Sequence, residues 1–303
     1  MKKYRKKSGN WKKTDHHQKI TDQVIKMLET AGTDWEKPWM SAPTNPENPC
    51  TGRKYSGMNL FLLGFSEYQS PYWAGYGQWQ QIGCQVNKND TGTPTGTPIV
   101  KYTTYKVKDK DRDGKEIEKS IPYLKTLIVH NAEQVTGFTP KENLREKLTE
   151  SEKVGAAEDY FQNLDPSTSW SGDRACYYPS TDCIDMPEFA DFTDGNKYYS
   201  VLYHEVVHWT GHKSRCNRML QGGRASESYA FEELIAELGS IFICTELGLI
   251  TSPDPNNAKY LNSWLAMLKE DKKAIFRAQS KAQDAHKYCQ TKQEKSTEME
   301  QVA

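Results

Sequence analysis

The sequence predicts an α+β fold in two domains. Three observations lead there. The 303 residues are enough for two domains of ordinary size. Two strand-like runs lie among short helical stretches in the first half, whereas three helices dominate the second. Charge also changes sign: residues 1–150 hold 24 basic and 17 acidic side chains, a net of +7, and the remainder holds 16 and 23, a net of −7. A chain that is neutral only on average points to two modules with different partners. We expect a flexible basic arm over residues 1–18, a first domain over 19–148 and a second over 149–303.

The arm carries Lys2, Lys3, Arg5, Lys6, Lys7, Lys12 and Lys13, with Lys19 just beyond it and Asp15 the one acid in the first twenty residues. It reads either as a solubilising tail or as a segment that gains affinity for nucleic acid by releasing counterions. Residues 19–32 predict an amphipathic helix, with Ile20, Val24 and Leu28 on one face and Gly32 as its stop. Trp35 and Trp39 flank a proline, and a Pro/Asn-rich loop follows. Residues 60–65 and 78–83 read as short helices. Residues 98–108 and 121–129 have strand composition. The Asp109-x-Asp111-x-Asp113-Gly114 run between them opens like a calcium loop, but Ser120 stands where a bidentate Glu is needed. We therefore read a charged hairpin tip.

In the second half, residues 141–163 predict a helix, with the domain boundary within or just before it. Residues 174–187 predict two short strands with a turn at Pro179-Ser180. Helices are expected over 229–248 and from 256 to about 290, and a frayed polar end from Glu294. The seven cysteines form no CxxC pair, which suits free thiols in a reducing cytoplasm. No apolar run approaches the ~18 residues that span a bilayer, so no membrane partner is expected.

The strongest motif is His204-Glu205-Val206-Val207-His208, followed by Trp209-Thr210-Gly211-His212. On a helix, residues four apart share a face. His204 and His208 at that spacing can hold one divalent metal, with Glu205 as the base for a metal-bound water. Zinc is expected, with manganese as the alternative. A catalytic centre needs a third protein ligand. His212 lies a further turn along, too far on a straight helix to converge with both. The longer HExxHxxGxxH pattern fails at Ser214. An acidic residue on the next helix remains. Glu233 is the expected ligand, and Glu237 is the second choice or the group that orients a ligand imidazole. Small residues near them, Ala236 and Ser240, would let the two helices approach. A substrate peptide is expected to pair along residues 182–186 by β-augmentation.

The chain resembles the antirestriction protein ArdC family, which pairs an N-terminal domain with a zincin-like polyvalent metallopeptidase domain. In the first half the resemblance rests on Trp39, Thr51-Gly52-Arg53-x-Tyr55-x-Gly57-x-Asn59, Trp73, Trp79-Gln80-x-x-Gly83 and Asn131-x-Glu133-Gln134. In the second it rests on Tyr178 with Pro179, Asp182-x-Ile184-x-Met186-Pro187, the HEVVHWTGH stretch with Arg215 and Arg218, and residues 232–238. After Gly83 it departs from the basic, Gly-rich pattern expected. The resemblance implies a zincin-like metalloprotease-fold domain after a single-stranded-DNA-binding domain, and the acidic third ligand expected above makes it gluzincin-type. It also implies protection of incoming plasmid or phage DNA from host restriction, with a restriction enzyme or other host protein as a second partner. The expected DNA contacts are Arg53, Lys54, Tyr55, Asn59, Trp73, Trp79, Lys88 and Lys101. Aromatic residues interleaved with basic ones suit base stacking beside phosphate contacts.

Overall fold

The computed structural model describes residues 14–31, 45–89, 92–110, 115–140, 150–170, 174–218, 226–249 and 260–302. The basic arm up to Lys13, Trp35, Trp39 and the hairpin tip at 111–114 lie outside them. The elements run α1 (His16–Ala31), β1 (Glu47–Asn48), β2 (Arg53–Lys54), α2 (Met58–Gly64), β3 (Trp73–Gly75), α3 (Tyr76–Gln81), β4 (Gln85–Val86), β5 (Thr97–Lys110), β6 (Glu116–Asn131) and β7 (Val135–Thr136). The second half continues with α4 (Glu150–Leu164), β8 (Ser167–Ser169), β9 (Cys176–Tyr178), β10 (Cys183–Asp185), α5 (Gly195–Thr210), α6 (Glu227–Leu247), α7 (Leu261–Glu270) and α8 (Ala274–Val302).

Helix α1 begins three residues earlier than the periodicity predicts, because Asp15 caps it by accepting the amide of Gln18 at 3.1 Å. Its face of Ile20, Val24 and Leu28 is at most 1% exposed. Each such side chain contributes about 1.5–3 kcal/mol by leaving water. Asn59 on α2 replaces two missing ladder bonds of β5: its Nδ2 donates to the Val100 carbonyl at 2.9 Å, and its Oδ1 accepts the Val100 amide at 2.8 Å. Strands β5 and β6 form a long antiparallel hairpin paired from Thr97↔Val129 to Lys110↔Glu116, with β3 added along β6.

In the second half, β10 lies between β8 and β9, parallel to the first and antiparallel to the second. Helix α5 starts at Asp194, whose carboxylate accepts the amide of Lys197 at 2.9 Å, and ends at Gly211. Helix α6 starts at Ser226 and stops at Gly248, which takes the left-handed conformation (φ 73°) that glycine adopts without strain. The single long helix expected after residue 256 is two. Asp271, in extended conformation, ends α7, and its carboxylate and carbonyl then accept the amides of Lys273 and Ala274 at the start of α8. Helix α8 runs on to Val302 instead of ending near 290.

One hydrophobic core joins both halves. Residues of α1 and α2 (Ile20, Val24, Leu28, Phe61, Leu62) belong to the same buried cluster as Leu202 and Val206 of α5, Leu238 and Phe242 of α6, and Phe276 of α8. Thr21 of α1 adds a 2.7 Å hydrogen bond to the carbonyl of Lys272.

Candidate metal centre

Helices α5 and α6 form the centre by close approach. A Cβ built on Gly239 would lie 2.7 Å and 2.9 Å from the two methyl groups of Val207, so a hydrogen at this position permits the crossing. The small residue the approach depends on is therefore Gly239. Val207 lies between the two histidines in sequence, so the crossing faces His204 and His208 toward the acids of α6.

Nε2 of His204 and Nε2 of His208 are 3.2 Å apart. Oε2 of Glu233 lies 3.3 Å from the first, and its Oε1 lies 3.7 Å from the second. Ligands about 2.0–2.2 Å from a tetrahedral zinc sit roughly 3.3–3.5 Å from one another, a spacing close to that of the two nitrogens and the Glu233 carboxylate, and one ligand atom from each residue lies within 4.8 Å of the others. Two imidazoles that turn Nε2 toward each other and a carboxylate form a donor set suited to a metal. Glu237 lies on the outer side of His204, with Oε1 3.8 Å from Nδ1. Glu232 holds the same place behind His208, 3.4 Å from Nδ1. Each imidazole is thus backed by a carboxylate, the arrangement that fixes ring orientation in metal sites.

The electrostatics favour a cation. Glu205, Glu232, Glu233 and Glu237 are all at least nine-tenths buried. Arg218 offsets one of them: it donates to Glu232 at 2.7 and 3.1 Å and ties it to the Val207 carbonyl and Thr210 hydroxyl of α5. Burial opposes a charged imidazole at His204, yet the hydrogen bond of Glu233 and the charges of Glu237, Glu233 and Glu205 raise its pKa to about 10. Burial likewise opposes an ionised Glu233, but His204 and His208, with a hydrogen bond from Tyr229, hold it at about 2. The buried carboxylates that favour a proton on His204 would equally favour a divalent cation, whose binding displaces that proton.

Glu205 follows His204 on α5, and its Oε2 accepts the backbone amide of Tyr177 on β9 at 2.7 Å. Tyr177 is itself fixed by its hydroxyl, which donates to Asp182 at 2.8 Å. Arg215 grips both oxygens of Asp182, donates to the Trp209 carbonyl at 2.6 Å and lies over the Trp209 ring, 4.1 Å from its centroid. His212 is outside the ligand cluster and pairs with Ser214 at 2.8 Å, as the helical geometry requires.

Three expectations change. The stretch at 182–186 cannot take a peptide strand, because β10 is the central strand and both of its edges are filled. Trp73 and Trp79 are 1% and 0% exposed, and Trp79 donates to the His130 carbonyl at 3.0 Å, so neither ring can stack on a base. Tyr55 and Asn59 are also structural: Tyr55 donates to the Trp73 carbonyl at 3.0 Å, and Asn59 is committed to β5. Arg53, Lys54, Lys88 and Lys101 are exposed. Sequence reasoning missed Glu232, and the grip of Arg218 on it, as parts of the site; the adjacent Glu232-Glu233 pair, followed by Glu237, was the available signal.

Comparisons with known proteins agree with this architecture. The model for the N-terminal domain of anti-restriction factor ArdC matches residues 14–130, and that for a zincin-like metallopeptidase matches residues 155–281. The uncharacterized protein y4eC of Sinorhizobium fredii (strain NBRC 101917 / NGR234) is 36% identical over 285 residues, covering 89% of this chain and 90% of that protein. A DNA primase TraC of Escherichia coli is 33% identical over 289 residues, which cover 91% of this chain but 20% of TraC. The metal-free crystal structure of the antirestriction ArdC protein from the R388 plasmid superposes with a TM-score of 0.72 at 37% identity, covering 92% of this chain and 98% of that one. Its Mn(II)-bound structure gives 0.70 at 36% identity. A zincin-like domain and a metal-bound relative together indicate a divalent metal. Among the described residues no helix is long and apolar enough to cross a membrane.

Proposed function

Because the chain belongs to the antirestriction ArdC family, with that family's zincin-like metallopeptidase domain, we propose that it protects incoming plasmid or phage DNA from host restriction in the cytoplasm. It does so by binding single-stranded DNA and by metal-dependent peptidase chemistry. The observation that carries this reading is the convergence of His204, His208 and Glu233 within 4.8 Å of one another, beside a buried Glu205.

In this reading His204, His208 and Glu233 bind zinc, with manganese as the alternative. Glu237 and Glu232 orient the two imidazoles. Such a metal acidifies bound water and polarises a carbonyl. Glu205 accepts the water proton at its carboxylate and returns it to the leaving amine. The target is a protein met at the DNA, such as a restriction subunit. The match to a segment of proteins named DNA primase supports work at single strands.

A second reading keeps DNA binding and makes the metal structural. The bond from Tyr177 to Glu205 favours it, since it occupies one oxygen of the base within the fold. Plasmid transfer into a restricting host separates the two. Glu205→Gln should lose protection if peptide cleavage is needed; full protection in that variant would leave DNA binding as the protective activity.

A further inference from the structure

Beyond Val100 and Leu124, which are buried, the β5–β6 hairpin projects as a two-stranded ribbon whose side chains are exposed or half-buried. Side chains alternate between the faces of a strand. One face carries Lys101, Thr103, Tyr105 and Val107 opposite Lys125, Tyr123, Ile121 and Lys119. The ring contact between Tyr105 and Tyr123, centroids 5.5 Å apart, confirms that they share it. The other face carries Lys106 and Lys108 with Glu118 and Glu116.

The two faces differ in charge. On the second face the lysines neutralise the acids, at 2.8 Å for Lys106–Glu118 and 3.8 Å for Lys108–Glu116. On the first face Lys119 pairs with Asp109 at 3.8 Å. Lys101 and Lys125 are direct cross-strand neighbours, and neither has an acidic partner among the described residues. Like charges directly opposite destabilise a hairpin. An anion set between them reverses that cost. Next along the same face are Tyr105 and Tyr123, 45% and 40% exposed. Two such cations followed by two accessible rings match a nucleotide strand, with phosphates on the lysines and unstacked bases on the rings.

We propose that this face of the β5–β6 ribbon is the surface that takes single-stranded DNA. The inference rests on the DNA-binding part of the proposed function. It places stacking on Tyr105 and Tyr123 in place of the buried tryptophans.

The test is fluorescence anisotropy of the full chain with a labelled oligothymidylate over a range of salt. Tyr105→Ala and Tyr123→Ala should each weaken binding roughly 5- to 150-fold, the range for loss of one stacking ring. Lys101→Ala with Lys125→Ala should lower the slope of log affinity against log salt by about 1.4, at about 0.7 per phosphate contact on a single strand. Tyr102→Ala and the pair Lys106→Ala with Glu118→Ala, on the opposite face, should bind as the unaltered chain does. Tyr105→Phe and Tyr123→Phe should retain binding, which excludes a merely disrupted hairpin. If the altered face binds as tightly as the unaltered chain, or both faces weaken binding equally, the ribbon assignment is overturned and DNA binding stands. If the unaltered chain does not bind even at low salt, both fail.

Discussion

The backbone amide of Tyr177 donates to the carboxylate of Glu205 at 2.7 Å, joining strand β9 to the candidate general base. The bond holds one carboxylate oxygen and so fixes the plane of the group. Glutamine preserves the size and an acceptor for that amide but cannot take a proton. Glu205→Gln should therefore cut peptide hydrolysis by roughly 10²–10⁴-fold and leave metal binding intact. Thermal melts check the second part: zinc at 100 times the dissociation constant of the unaltered protein should stabilise both proteins by about 2.7 kcal/mol. A smaller gain for the variant would make Glu205 a ligand.

The acids of α6 should rank by what they touch. Glu233→Ala should abolish zinc stabilisation, because it removes one of the three proposed ligands. Glu237→Gln and Glu232→Gln act on the imidazoles from outside and should weaken zinc affinity by roughly 10–100-fold each. Calorimetric titration measures the order. If Glu237→Gln proves the most damaging, the ligand is Glu237.

Gly239→Ala adds one carbon where Val207 leaves no space. Valine cannot swing away cheaply, because its branched Cβ restricts rotation. The expected loss is about 1–3 kcal/mol of stability, read by denaturant unfolding, with weaker zinc binding as the helices part. A variant as stable as the unaltered chain would show that α5 and α6 shift without cost.

The Asp182–Arg215 pair makes the β9–β10 turn acid-sensitive. The hydrogen bonds of Arg215 outweigh burial and hold the Asp182 pKa below its ordinary 3.8. A depressed carboxylate stabilises the fold fully above its unfolded pKa and loses that contribution as pH falls toward its folded one. In chelator, Asp182→Asn should melt below the unaltered protein at neutral pH, and the gap should narrow as pH falls through 3.8. A gap that stays unchanged well below that pH would assign the turn's stability to packing.

The sequence made some of this legible and not the rest, for physical reasons. The helical period alone put His204 and His208 on one face. The need for a third ligand pointed to Glu233, which the fold brings beside both imidazoles, whereas the place of Glu232 depends on how α5 and α6 cross, which no local pattern encodes. The tryptophans misled because a motif names a residue type without its burial: Trp73 and Trp79 share bases' affinity for flat surfaces but are enclosed. Tyr105 and Tyr123 read only as strand formers until the pairing register put them on one face. The break at Asp271 was missed because the helical composition continues on both sides of it.

The core that α1 and α2 share with α5, α6 and α8 has a consequence for inheritance. If the chain is cut between residues 131 and 150, each piece exposes the apolar surface that the other covered. The halves should therefore unfold in one cooperative transition and pass between genomes as a block. TraC is consistent with this: its matching segment spans 91% of this chain, both halves included, within a much longer protein. A genome that keeps either half keeps the other as its structural support.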